Sequence, residues 1–254
     1  MNSPAEILQI QIGNGVKKVS LPIYKMIILG MAAGAYIGFG AHVFLLATSA
    51  AETAFEATAA KLIGAGLFPV GLMLVVLCGA ELFTGNNLLT LALMDKKITF
   101  AQLMKSWVVV YLANFAGSVL MAFLLARSGL YSGAASERAV AVAAAKVSAP
   151  FSQMVVRGIL CNILVVLAVW FQSGAKDVIG KIWSIWFPIA LFVFAGFEHS
   201  IANMTYIPLG IFLGADVTFS QFLISNLLPV TLGNMIGGAV IVPLLYYFAY
   251  RESK

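Results

Sequence analysis

Gly79-Ala80-Glu81-Leu82-Phe83-Thr84-Gly85-Asn86 lies inside an apolar run that extends from near Leu62 to near Met94. An uninterrupted run of that length would form one long membrane helix. Instead a carboxylate, a hydroxyl, an amide and two glycines sit at its middle. In hydrocarbon, irregular backbone and polar side chains survive only when buried in protein or lining a water-filled cavity. An ionisable residue at that depth marks a functional site by default. A second stretch, Gly196-Phe197-Glu198-His199-Ser200-Ile201-Ala202-Asn203, aligns with the first without gaps and matches at Gly79/Gly196, Glu81/Glu198 and Asn86/Asn203. Two interrupted hydrophobic segments in corresponding halves point to a transport site near the bilayer midplane.

Outward from these breaks, the apolar pattern predicts six spans. Span 1 covers about Met26–Thr48 and carries Gly30, Gly34, Gly38 and Gly40, a spacing that lets another helix approach closely. After a connector with Glu52 and Glu56, span 2 runs about Lys61–Met94 and is broken at Leu82–Asn86. Span 3 is expected at Trp107–Ala126, span 4 at Phe151–Phe171, span 5 at Ile182–Leu213 with its break at Glu198–Asn203, and span 6 at Val230–Tyr250. Residues 1–25 read as an amphipathic helix on the membrane surface, 127–150 as a polar outer connector with a helical middle, and Val217–Leu228 as a short surface helix.

The repeat also relates Leu112, Asn114 and Gly117 to Leu232, Asn234 and Gly237. Residues 26–126 and 151–250 thus form two three-span halves of a single domain. An odd number of spans per half forces the halves into opposite orientation, the inverted repeat of channels and transporters. The fold class expected is an all-α membrane protein with spans 2 and 5 broken.

Composition agrees with a lipid setting. The 254 residues are 61% hydrophobic and 10% charged, with a mean hydropathy of +0.98, against about 25% charged in soluble chains. The formal charge of +5 sits between apolar runs rather than on one patch, which argues against nucleic acid. Cys78 and Cys161 read as small buried hydrophobes, and no metal or disulfide framework is expected. The N-terminal region lacks an early apolar core and a small-residue cleavage site, so no cleaved signal peptide is expected. Ten of the 15 cations (Lys17, Lys18, Lys25, Lys96, Lys97, Lys105, Lys176, Lys181, Arg251, Lys254) fall on one face and five (Lys61, Arg127, Arg138, Lys146, Arg157) on the other. By the positive-inside rule the first face, with both termini, is cytoplasmic.

His199 is the sharpest candidate: an imidazole at the midplane donates a hydrogen bond to an anion, or a proton near neutral pH. Thr84, beside Gly85 in the other break, reads as a hydroxyl offered to the same anion. Glu81 and Glu198 would repel an anion, and are expected to accept hydrogen bonds from backbone N–H groups freed at the breaks, with Gly85, Asn86 and Asn203 as structural neighbours. Exposed helix N-termini at the breaks favour anions. His42 reads as structural.

With these motifs the chain resembles the formate/nitrite transporter family over essentially its whole length, in its six spans, both breaks and Asn234-Met235-Ile236-Gly237-Gly238. The resemblance implies an aquaporin-like protomer, a pentamer with one pore in each protomer, and passage of formate, nitrite or hydrosulfide. It makes His199 the central pore residue with Thr84 opposite, Asn162 the partner that orients His199, and Lys146 a cation near the pore. Apolar constrictions map to Leu72, Leu82 and Phe83 on one side of the centre and to Phe68 and Phe192 on the other. Gly85-Asn86-Asn87 looks closer to hydrosulfide-type members, so hydrosulfide is expected first and formate second. The reading is a channel or proton co-transporter of a prokaryotic cytoplasmic membrane, without cofactor or catalysis. Its rivals are a neutral-solute channel, an intramembrane enzyme and a sensory protein; the missing Asn-Pro-Ala pair and nucleophile turn weigh against the first two, and the paired broken helices against the third.

Overall fold

The computed structural model describes residues 1–51 and 53–251, so Glu52 and Lys254, both weighed above, lie outside the described residues. Regular structure among the described residues is helical throughout: α1 (Pro4–Val19), α2 (Ile23–Ala47), α3 (Ala54–Leu67), α4 (Val70–Cys78), α5 (Leu89–Met94), α6 (Phe100–Arg127), α7 (Ala134–Ser148), α8 (Phe151–Gly174), α9 (Val178–Ala195), α10 (Ser200–Phe212), α11 (Leu228–Met235) and α12 (Val242–Tyr250). Six stretches are long and apolar enough to cross a bilayer: Ile23–Ala47, Ala54–Cys78, Phe100–Arg127, Phe151–Gly174, Val178–Ala195 and Gln221–Tyr250. Helix starts are set locally. Ser3 with Glu6, Thr53 with Glu56 and Thr99 with Gln102 form reciprocal capping boxes, each cap contributing about 1 kcal/mol.

Both breaks open earlier than the apolar pattern predicts. Gly79 and Gly196 adopt left-handed φ values of 81° and 78° and stop α4 and α9, a conformation that glycine takes without a Cβ clash. The first break therefore runs from Gly79 to Thr84, followed by a 3₁₀ turn over Gly85–Leu88. Ser200–Asn203, expected inside the second break, already form the first turn of α10, because His199 caps that helix at once. Nor is Val217–Leu228 a separate surface helix. It runs directly into span 6 through a π-helical stretch, Gln221–Leu227, and a second follows at Ile236–Ile241. Pro229 and Pro243 lie just beyond these stretches, and a missing proline N–H lets the preceding turn widen. Cys161 is buried as expected, whereas Cys78 is exposed.

Each half packs internally by close backbone approach. Gly117 lies against the Met31 carbonyl and Gly34 against that of Asn114, which joins α2 to α6; Gly237 lies against the Ile159 carbonyl and Gly233 against that of Val155, which joins α8 to span 6. No side chain fits at these four contacts. The correspondence also reaches beyond the three-span halves. Lys18-Val19-Ser20-Leu21-Pro22 recurs 128 residues later as Lys146-Val147-Ser148-Ala149-Pro150, with Met26/Met154 and Gly30/Gly158 at the same offset. Pro22 and Pro150 share one backbone geometry, φ −58° and ψ 146°. Thus α1 stands to the first half as α7 stands to the second. Rather than resting only on a membrane surface, α1 buries Ile7, Leu8, Ile12 and Val19, and Gln11 donates to Ser173 Oγ (2.8 Å) and the Val169 carbonyl (3.2 Å) of α8.

Candidate functional site

Broken backbone inside a membrane must find partners within the protein, since each unsatisfied group costs several kcal/mol. One asparagine serves each break. Asn114 Nδ2 donates to the carbonyls of Gly30 and Glu81, both at 2.8 Å, while its Oδ1 accepts from Phe83 N–H at 2.9 Å. Asn234 repeats the pattern with Gly158 (2.8 Å), Glu198 (3.0 Å) and Ser200 N–H (2.9 Å). An amide both donates and accepts, which a carboxylate cannot. Glu81 and Glu198 therefore do not take the backbone role expected for them. Glu81 is held by Lys18 Nζ (2.9 Å) and Asn86 Nδ2 (2.8 Å), and Glu198 by Lys146 Nζ (2.8 Å) and Asn203 Nδ2 (2.7 Å). By sequence pattern alone Lys18 reads only as a topology charge. The Lys-Val-Ser-x-Pro recurrence was the signal that pairs it with Lys146.

Where the breaks meet lies a chamber of about 10 Å³, room for a single water. Three pairs related by the repeat build its wall: Ile37/Val165, Leu72/Ile189 and Leu82/His199. Phe68 and Phe192 complete it, their rings 5.7 Å apart and edge-on. Leu72 and Leu82 also border a cavity of about 240 Å³ on the α1 side. Phe68 and Phe192 border one of about 290 Å³ on the α7 side. Each of these four residues, expected as constrictions, borders both the chamber and one flanking cavity. Phe83, expected with them, borders none of the three. Its N–H is held by Asn114 of α6, so its ring packs on that helix, 6.0 Å from Trp107 and 4.9 Å from Tyr111. Ile37, Val165 and Ile189 escape a reading by sequence, although the repeat relates Ile189 to Leu72.

His199 is the one polar member of the chamber wall. Its Nδ1 accepts the Ala202 N–H at 3.1 Å, capping α10. In the neutral ring the proton is therefore on Nε2, which donates to Thr84 Oγ1 at 2.9 Å. The Phe192 ring lies 5.8 Å away, tilted by 23°. Thr84 is fully buried behind the imidazole and does not line the chamber, so its hydroxyl reaches His199 rather than the chamber itself. Nor does Asn162 reach His199. Its Nδ2 donates to Asn87 Oδ1 and the Asn234 carbonyl (2.8 Å each) and to the Thr84 carbonyl (3.4 Å). The amide is drawn aside because it packs against Gly238, where no side chain fits. His42 binds Tyr131 OH at 2.9 Å, tying α2 to the connector, a structural part as expected.

The two cavities are vestibules of unequal character. On the α1 side the charged lining is Lys18 and Glu81. On the α7 side it is Lys61, Arg138, Lys146 and Glu198. Lys146 also lies 5.1 Å from the Tyr206 ring centre.

Two broken helices meeting at a narrow chamber between two vestibules define a membrane channel or transporter. The family model for the formate/nitrite transporter matches residues 5–248, and the chain belongs to that family. It is 42% identical to a probable formate transporter of Methanothermobacter thermautotrophicus, covering 99% of this chain and 98% of the relative. It is 35% identical to the formate channel FocA of Escherichia coli strain K12, covering 99% and 95%. Among solved structures it superposes on an FNT family ion channel with a TM-score of 0.89, 30% identity and coverage of 96% and 98%. A pentameric formate channel with formate bound gives a TM-score of 0.81, 33% identity and coverage of 91% and 98%.

Proposed function

We propose that this protein passes small monovalent anions of weak acids, formate first, with proton transfer at the chamber. One observation carries this: a water-sized chamber, apolar except for His199, joins two vestibules that each hold a lysine. A bare charge is costly in such surroundings, whereas a weak acid crosses as its neutral form. Of the chamber residues only His199 carries an ionisable side chain. Formate precedes hydrosulfide and nitrite because formate is named for relatives at 35–42% identity. The residues behind the hydrosulfide expectation are bound into the scaffold, Asn86 to Glu81 and Asn87 to Asn162. The pentameric neighbour supports a pentamer, and the cation count supports cytoplasmic termini. Purified protein in liposomes should take up formate in a pH-dependent way, and His199→Phe should abolish that uptake. Equal uptake by liposomes without protein removes the proposal, and a hydrosulfide flux above that of formate reverses the order.

A further inference from the structure

The inverted repeat supplies an internal control for electrostatics. Each vestibule holds one lysine paired to one glutamate, at 2.9 Å on the α1 side and 2.8 Å on the α7 side. These pairs offset one another within each cavity. The α7 vestibule adds two cations, Lys61 and Arg138, to its lining. At the repeat offsets their counterparts are Val178 and Ile10, both apolar. Arg138 is anchored by Nε donating to Thr48 Oγ1 at 3.0 Å, and Lys61 rests 5.4 Å from the Phe194 ring centre. Neither has a carboxylate partner among the described residues. Glu56 and Glu137, the nearest acids in sequence, are exposed and do not line the cavity, so solvent and salt screen them.

We infer that Lys61 and Arg138 make the α7 vestibule an anion-collecting mouth, so the two ends of the passage are electrostatically unequal. The α7 lining carries two net positive charges and the α1 lining none. Small monovalent anions, carboxylates among them, concentrate at the α7 end before they reach His199. In a passive pore this cannot make net flux one-way at equal concentrations. It lowers the half-saturating concentration on the α7 side, with maximal flux from that side falling in proportion. The inference rests on the proposed anion pathway for its use, while its electrostatic content stands apart from transport.

The test uses repeat-equivalent reporters. Asn14 and Val142 are 128 residues apart and line the α1 and α7 vestibules respectively. Asn14→Cys and Val142→Cys, each in a Cys78→Ser background, are treated with anionic and cationic methanethiosulfonates in detergent. With unit charges about 10 Å away in water, the anionic-to-cationic rate ratio should be about tenfold higher at position 142 than at 14. The difference should collapse in about 1 M salt, where the Debye length is about 3 Å, and in Lys61→Gln/Arg138→Gln. Formate influx in right-side-out and inside-out vesicles provides the second measurement. The double variant should raise the half-saturating concentration about fourfold from the α7 side alone. Equal reagent ratios at positions 14 and 142, or a ratio unmoved by the double variant, overturn the inference even if formate flux is normal. Absent flux with unequal ratios overturns the proposed function and leaves the inference standing.

Discussion

Both ring nitrogens of His199 are engaged, Nδ1 with the Ala202 N–H and Nε2 with Thr84 Oγ1. A proton can be added only at Nδ1, and adding it removes the cap of α10. Substitutions should therefore separate the cap from the chemistry. His199→Asn keeps a cap-forming side chain, so its thermal midpoint in detergent should match the unmodified protein while pH-dependent formate uptake is lost. His199→Phe should lose uptake and about 1 kcal/mol of stability as well. Equal midpoints for the two variants would remove the capping role. Thr84→Val keeps shape but takes away the acceptor of the Nε2 proton. A hydrogen bond of about 1–1.5 kcal/mol corresponds to a fall of roughly tenfold in flux, and unchanged flux would show that Thr84 does not set the ring. The place of His199 at a break was legible from a lone imidazole in an interrupted span. The positions of Thr84 and Asn162 relative to it were not, because both depend on backbone turns that the one-dimensional pattern does not encode.

At the level of elements, the same ion pair ties a helix outside the spans to each break: Lys18 of α1 to Glu81, and Lys146 of α7 to Glu198. Both glutamate side chains are 7% exposed, so removing the lysine strands a buried carboxylate at a cost of about 3–5 kcal/mol. Lys18→Met and Lys146→Met should lower the thermal midpoint by comparable amounts, and adding Glu81→Gln or Glu198→Gln should recover part of each loss. A Lys18→Met protein as stable as the unmodified one would show that α1 is no structural equivalent of α7. Span number, both breaks and the glycine contacts were legible, because hydropathy and backbone-approach glycines are local signals. The π-widened start of span 6 was not: Thr218, Ser220, Gln221 and Ser225 dilute its hydropathy, while the bonds of Asn226 with Asn203 and the Lys146 carbonyl and the burial of Phe222 and Leu227 show it as part of the core.

Across the whole molecule, residues that obey the repeat build the scaffold and part of the chamber wall, while three that violate it meet beside the chamber. Asn114/Asn234, Glu81/Glu198 and Lys18/Lys146 hold matching contacts in both halves. His199, Thr84 and Asn162 face Leu82, Ile201 and Gly34 at the same offsets, and they meet in one bonded cluster beside the chamber. A chamber with a single titratable group and apolar walls on both sides should admit the neutral acid and reject the bare anion, and the two routes differ in their response to voltage. An elementary charge moved through 100 mV changes by about 2.3 kcal/mol, so bare formate would redistribute about fiftyfold across a clamped membrane. A neutral acid, or an anion moving with a proton, would ignore that voltage and follow the pH difference instead. In liposomes clamped with potassium and valinomycin, formate accumulation should therefore track the pH gradient and stay level as voltage is stepped. Leu82→Ala, which removes apolar bulk between the chamber and the α1 vestibule, should raise total flux, admit acetate and restore a voltage response as water enters. Accumulation that follows voltage in the unmodified protein would mean that the anion crosses charged, and that the chamber does not work by neutralisation.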